Sequence, residues 1–244
     1  MSILLAEFLG TTILLLLGIG VNANTSLKNT IGNKDSAWVL VTMAWGLSVF
    51  IAVFITAQYS GAHLNPAVTV GLATAGKFSW SLVPSYIISQ FLGAIFGSWL
   101  AYVIYIDHYR LTKDEETVRG SFCTGPAIRN YKNNFFSELI GTFVLVFAIF
   151  FIVKPNIEIE GEVINFGLGA LDALPVGIVV WVIGMTLGGT TGFAINPARD
   201  FGPRLMYSLL PRKNKKPDWS YSWIPVLGPL IGAILAGIIF NILL

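Results

Sequence analysis

The sequence predicts an all-α membrane protein: six transmembrane helices plus two half-helices, arranged as an inverted repeat within a single domain spanning residues 1–244. Three observations predict it: a charge content too low for a water-solvated surface, six apolar runs of membrane-crossing length, and two unlike motifs repeated at one offset. Hydrophobic residues make up 55% of the chain and charged residues 11%, against a charged share of about 25% in soluble domains.

The first apolar run, 3–21, has no basic residue before it and carries Glu7 within it, so it reads as a span and not as a cleaved secretory signal. Runs at 36–57, 82–106, 133–153, 172–188 and 222–244 follow. Each reaches or approaches the ~17–25 residues that cross a bilayer. Two further stretches, 66–75 and 197–207, are weakly polar and too short to span at about 1.5 Å per residue. They read as half-helices, because Pro66 and Pro197 suit a first helical position and Asn65 and Asn196 suit the N-cap before it. Irregular backbone rich in glycine and small residues precedes each, at 60–64 and 190–195. At membrane depth such backbone is tolerated only where it lines a cavity or is buried in protein.

A polar connection, 107–131, joins two halves, 1–106 and 132–244. It holds Cys123, the single cysteine, which excludes an intrachain disulfide and a multi-cysteine metal site. The halves repeat one another. Ala6-Glu7-Phe8-Leu9-Gly10-Thr11 is echoed by Ser137-Glu138-Leu139-Ile140-Gly141-Thr142, and Asn65-Pro66-Ala67 by Asn196-Pro197-Ala198. One offset of 131 positions relates both pairs. Three spans per half make the second copy enter from the opposite side, an arrangement that builds a site at the bilayer midplane.

Half-helices entering from opposite faces aim their N-termini at each other, each bearing roughly half a positive charge. A cation between them meets about 4 kcal/mol of repulsion at about 4 Å and an effective dielectric of about 20, besides losing its water. Neutral solutes escape that penalty. The Asn65 and Asn196 amides read as donors into the lumen that interrupt a proton wire. The carbonyls of Gly61, Ala62, His63 and Leu64, and of Gly192, Phe193, Ala194 and Ile195, read as a single-file acceptor track. Such a track offsets the roughly 1–3 kcal/mol lost for each hydroxyl left unpaired. Glu7 and Glu138, ionisable groups inside apolar spans, read as acceptors for the amides of the irregular segments. His63 reads as a scaffold residue of which only the carbonyl faces the lumen.

The segments Ser60-Gly-Ala-His-Leu-Asn-Pro-Ala67 and Thr191-Gly-Phe-Ala-Ile-Asn-Pro-Ala-Arg-Asp-Phe-Gly-Pro203, with the duplicated glutamates, resemble the glycerol facilitator branch of the aquaporin family over essentially the whole chain. The resemblance implies six tilted helices and two half-helices, one pore per protomer, a homotetramer, and a multi-pass plasma-membrane protein with cytoplasmic termini. It also implies a substrate-selecting constriction at Trp45, Gly184, Phe193 and Arg199. There the two aromatic faces would take the carbon backbone of a polyol, each buried CH₂ contributing up to about 0.8 kcal/mol, and Arg199 would donate to the hydroxyls. Gly184 would leave the space open, where water-selective relatives usually place histidine. Asp200 and Arg204, four apart on the second half-helix, can pair across one turn, and aspartate after the arginine also resembles the glycerol branch.

One feature of the chain runs against the implied orientation. Of fifteen basic residues, eleven lie in the first, third and fifth connections, which the resemblance places outside, and only Lys77 and Lys154 lie in the second and fourth. Counting positive charges alone would put both termini outside. The expectation kept is the family orientation, because both copies of the repeat must insert with a fixed relative direction.

The function expected is passive, bidirectional conduction of glycerol and water that excludes ions and protons. Urea, dihydroxyacetone, undissociated lactic acid and hydrogen peroxide are not separated from glycerol by any residue. A water-only channel and a secondary transporter are the alternatives, since broken helices and inverted repeats serve transporters too. An enzyme is disfavoured, because no nucleophile and base pair, metal-ligand cluster or nucleotide loop is evident, and His63 and His108 are the only histidines. No cofactor and no nucleic-acid partner is implied.

Overall fold

A computed structural model describes residues 1–33, 37–153, 155–159 and 162–244. Lys34 and Lys154, both part of the charge count, lie outside the described residues. In chain order the elements are α1 (Ile3–Ser26), α2 (Ala37–Ser60), the half-helix α3 (Pro66–Thr74), and α4 (Val83–Ile104), which a 3-10 turn at Trp80–Leu82 introduces. Two short helices follow, α5 (Ile106–Leu111) and α6 (Glu115–Phe122), and then α7 (Tyr131–Phe150). A two-stranded antiparallel hairpin, β1 (Asn156–Ile159) and β2 (Glu162–Asn165), precedes α8 (Leu174–Leu187), the half-helix α9 (Pro197–Leu209) and α10 (Ile224–Leu243).

Among the described residues, six helical segments are long and apolar enough to cross a membrane. The all-α membrane architecture is therefore as the composition and the apolar runs require. Three local differences stand out. Helix α2 runs through Ser60, with Gly61 N still bonded to Ala57 O at 2.9 Å, so the irregular segment begins one residue later than expected. The polar connection folds into α5 and α6, and the paired strands β1 and β2 were not legible from residue patterning. Asp114 starts α6 by accepting from the amides of Glu116 and Thr117, an N-cap inside what reads as a charged loop.

The spans pack through small residues, as helices must when lipid is as apolar as their side chains. A Cβ on Gly93 would collide with Phe8 O and one on Gly97 with Thr12 O, so α4 lies backbone-to-backbone on α1. Gly228 and Gly232 do the same for α10 against α7, where added Cβ atoms would meet Glu138 Cβ at 2.9 Å and collide with Leu139 O. The same four-residue glycine spacing thus joins the first and third spans of each half. Helices α2 and α8 meet reciprocally, Gly46 facing Gly177 O at 2.6 Å and Gly177 facing Gly46 O at 2.7 Å from the built Cβ.

Outside this packing the surface is apolar. Ile88 is 60% exposed, Ile104 66% and Ile242 76%, along helices that water would not solvate. Inside it, Glu7, Thr11, Gln90, Glu138, Asp200 and Arg204 are buried. Apolar outside and polar inside is the distribution a bilayer selects.

The first, third and fifth connections gather on one face. Lys28 N donates to Thr112 Oγ1 at 2.9 Å, Arg212 pairs with Glu115 at 2.7 Å, and Arg129 pairs with Asp218 at 2.6 Å. On the opposite face, Asn241 Nδ2 donates to Thr74 O at 3.2 Å and the Lys77 ammonium stands 4.7 Å from the Phe240 ring centre. The charge asymmetry read along the chain is therefore an asymmetry between two faces.

Candidate functional site

Helices α3 and α9 begin beside one another in the middle of the molecule. Asn65 Oδ1 accepts from Ala67 N at 2.8 Å, and Asn196 Oδ1 accepts from Ala198 N at 2.9 Å and Arg199 N at 3.2 Å. With each oxygen turned back on its own helix, the amide nitrogen points away from it. Asn65 Nδ2 donates to Ile195 O at 2.8 Å, and Asn196 Nδ2 donates to Leu64 O at 2.9 Å. Each asparagine caps its own half-helix and grips the segment leading into the other.

This corrects two expectations. Each asparagine amide carries two hydrogens, and one of them is taken across the repeat, so only the second is left for the cavity. The Leu64 and Ile195 carbonyls, expected to be free acceptors, each already accept one bond and retain a single lone pair.

The segments before the two asparagines share an unusual backbone. Gly61, Ala62 and Leu64 have φ of 80°, 51° and 52°, and Gly192, Phe193 and Ile195 have φ of 83°, 41° and 43°. A non-glycine residue in this left-handed region costs about 1–3 kcal/mol and persists only when its surroundings hold it there. The two glutamates supply that hold. Glu7 accepts from His63 N at 2.9 Å and Leu64 N at 2.8 Å. Glu138 accepts from Ala194 N at 3.0 Å and Ile195 N at 2.8 Å. Ser60 Oγ and Gln90 Nε2 complete the shell of Glu7 at 2.6 and 2.7 Å. Gln90 escaped the reading of the sequence, although a glutamine inside an apolar span is a signal of the same kind as a glutamate there. The His63 ring is held by Thr69 Oγ1 at 3.1 Å and packs against Phe78 and Tyr86.

Residues 61–65 and 193–196 line one cavity of about 130 Å³, whose remaining lining is largely apolar: Leu14, Val49, Val53, Leu72, Leu145 and Ile149 among others. A wider cavity opens above it on the basic face, lined by Asn22, Trp38, Arg119, Thr124 and Gly192 with their neighbours. Trp45, Phe193 and Arg199 line both, so these three form the waist at which the cavities join.

The waist is tightly built. The Arg199 guanidinium carbon lies 4.0 Å from the Trp45 ring centre, a cation–π contact made in a buried place. Trp45 Nε1 donates to Asn22 Oδ1 at 3.1 Å, while Asn22 Nδ2 donates to Ser121 O at 3.2 Å, so Asn22 ties the ring to α6. The Phe193 ring meets Trp38 edge-on at 5.8 Å. Arg199 Nη1 donates to Phe122 O at 3.3 Å, and its Nε is buried with no partner among the described residues.

Gly184 does not line either cavity. A Cβ built on it would stand 3.0 Å from Phe193 Cε2 and Cζ and from Thr42 Cγ2. The expectation that Gly184 leaves lumen space open is corrected: the glycine makes room for the Phe193 ring, which fills the position.

Asp200 and Arg204 form a fully buried ion pair at 2.8 Å, away from the cavities. Asp200 Oδ2 also accepts from Thr124 N and Oγ1, and Arg204 donates to Thr124 O at 2.8 Å and Pro217 O at 2.6 Å. The pair therefore clamps the third and fifth connections onto α9, with every charge on it answered. Neither Phe122 nor Thr124 is marked in the sequence, because their contribution is a backbone carbonyl and a turn 76 or more residues away.

Three comparisons bear on this site. The family model described as Major intrinsic protein matches residues 1–240. A probable glycerol uptake facilitator protein of Thermotoga maritima is 49% identical over 248 residues, covering 99% of both chains. Glycerol uptake facilitator protein 3 of Lactiplantibacillus plantarum is 46% identical over 98% of this chain and 96% of its own. Among solved structures, the aquaglyceroporin of Plasmodium falciparum matches with a TM-score of 0.83 at 32% identity, over 98% of this chain and 94% of that one.

Proposed function

Because the chain belongs to the major intrinsic protein family, we propose that its two joined cavities are a passive path for glycerol and water, with Trp45, Phe193 and Arg199 as the filter. The protein is a multi-pass integral membrane channel and not an enzyme. The observation that carries the solute is the waist itself: two aromatic faces beside an arginine, all three lining both cavities. An alkyl chain bearing hydroxyls along one edge matches that division, carbon on Trp45 and Phe193 and oxygen on Arg199.

Below the waist the same division continues. The smaller cavity is lined by apolar side chains and by the segments whose amides are turned to Glu7 and Glu138. With the amides of His63, Leu64, Ala194 and Ile195 committed there, the carbonyls of Gly61, Ala62, His63, Phe193 and Ala194 are the acceptors that replace a solute's water, with that of Gly192 in the wider cavity before them. At the midpoint the second amide hydrogens of Asn65 and Asn196 orient a passing oxygen. Arg199 and the positive ends of α3 and α9 repel cations and break proton hopping.

Stopped-flow light scattering on proteoliposomes tests this. Glycerol and water flux well above empty vesicles, linear in solute concentration and accompanied by no proton or potassium leak, is the expected result. Water flux without glycerol would make the chain a water-only pore, and saturable uptake driven by a sodium or proton gradient would make it a transporter.

A homotetramer in the plasma membrane, with both termini cytoplasmic and the wider cavity facing out, completes the proposal. The basic face is then the external one, against the positive-inside tendency. Both halves of the repeat are locked into one packed body by the reciprocal asparagine bonds, so neither can reorient alone. An impermeant amine reagent applied to intact cells is expected to modify Lys213 and Lys216. Modification only after permeabilisation would reverse the orientation.

A further inference from the structure

Away from the waist, a groove of about 730 Å³ lies on the basic face, between the end of α4 with α5 and the segment that follows α9. It shares no residue with the cavities of the conduction path. Arg110 and Lys113 stand on one wall and Lys213 on the other, over Tyr102 and Ile106.

The charges of the groove do not balance. Its only carboxylate among the described residues, Glu115, is committed: Oε1 accepts from Arg212 Nε and Nη2 at 3.0 and 2.7 Å, and Oε2 accepts from Tyr207 OH at 2.8 Å. Arg212 is committed in turn, donating also to Tyr109 O at 2.6 Å and Thr112 O at 2.8 Å, which anchors the far wall. Three cations remain. Arg110 meets Asp107 only in an exposed pair at 3.2 Å, the kind that water and salt weaken. Lys113 Nζ touches the Arg110 carbonyl at 2.9 Å, and Lys213 has no partner among the described residues.

The apolar side chains next to these cations are as telling. Ile104, two residues before Ile106, is 66% exposed, and Leu209, two residues before Pro211, is 67% exposed. Ile104 ends the span α4 and Leu209 ends the half-helix α9, so both apolar side chains stand at helix ends beside the groove. We propose that this groove binds an anionic phospholipid, its phosphate held by Arg110, Lys113 and Lys213 and its acyl chains lying over Ile104 and Leu209. A free phosphate shares the headgroup chemistry but makes no use of the exposed apolar pair, so the lipid is the occupant assigned.

Native mass spectrometry of the purified full-length protein, titrated with phosphatidylglycerol or phosphatidylcholine, tests the assignment. Phosphatidylglycerol is expected to be retained in preference, with affinity falling about fivefold for each cation removed in Lys213→Gln and in the triple variant Arg110→Gln, Lys113→Gln, Lys213→Gln. Inorganic phosphate at the lipid concentration should not displace it. Equal retention of the two lipids, or a triple variant that holds phosphatidylglycerol as tightly as the wild type, would overturn the site. Displacement by inorganic phosphate would overturn the lipid assignment in favour of a free anion. Glycerol flux of the triple variant in phosphatidylcholine vesicles checks its fold, and Lys213→Gln carries the test alone if that flux is lost.

Discussion

Glu138→Leu is expected to abolish glycerol and water conduction and to destabilise the protein by about 2–6 kcal/mol, since two buried amides at roughly 1–3 kcal/mol each lose their acceptor. Those amides belong to Ala194 and Ile195, and Ile195 is a β-branched residue held at φ 43°. Without the carboxylate nothing opposes the strain of the left-handed segment. Relaxation of Ile195 withdraws the carbonyl that Asn65 grips at 2.8 Å, so the damage crosses from one half of the repeat to the other. Glu138→Gln separates the packing role from the acceptor role. Its carbonyl oxygen can still accept one amide, while its NH₂ opposes the other, so an intermediate loss is expected. Thermal unfolding followed by native-gel migration, together with vesicle flux, reads both effects. A leucine variant with wild-type flux would remove Glu138 from any role in holding the lumen.

Gly184→His is expected to lower glycerol permeability more than tenfold while water flux persists. Any side chain here must displace the Phe193 ring, already 3.0 Å from the built Cβ and backed by Trp38. The ring's backbone cannot follow, because the next amide is bonded to Glu138. Either the ring or the imidazole then enters the waist. A polyol loses about 0.8 kcal/mol for each CH₂ no longer received by the aromatic corner and about 1–3 kcal/mol for a hydroxyl that cannot reach Arg199. A combined loss of about 2 kcal/mol exceeds one decade in rate, whereas water needs neither contact. Stopped-flow permeability ratios decide it, and an unchanged glycerol rate would show that Phe193 does not select.

These two residues illustrate different kinds of legibility. Glu138 announces itself in the sequence, because a carboxylate in an apolar run has to be satisfied by something and the irregular backbone 56 residues on supplies the donors. Gly184 also stands out by its motif, yet its local context does not tell what occupies the volume it vacates. Only the position of Phe193 answers that.

Gln90, Asn22, Phe122 and Thr124 mark the other limit. Each fixes a central group by hydrogen bonding to a residue distant in the chain: Gln90 to Glu7, Asn22 to Trp45, Phe122 to Arg199 and Thr124, through both its amide and its hydroxyl, to Asp200. Gln90 breaks an apolar run, but nothing along the chain pairs it with Glu7; the other three belong to no repeat and interrupt no periodicity. The groove of Arg110, Lys113 and Lys213 is likewise invisible along the chain, where these residues are simply parts of charged connections.

The membrane as solvent, the six spans, the half-helices with their caps and the inverted repeat can all be read along the chain. Those follow from segment length, from proline and asparagine at helix starts and from one recurring offset, all of which are local or periodic properties. The tertiary structure alone decided the reciprocal grip of Asn65 and Asn196, the role of Gly184 as space for a ring, and the meeting of three connections on one face. A bond between residues 130 positions apart leaves no period to read, because it exists only once both half-helices have packed and brought their ends within 3 Å.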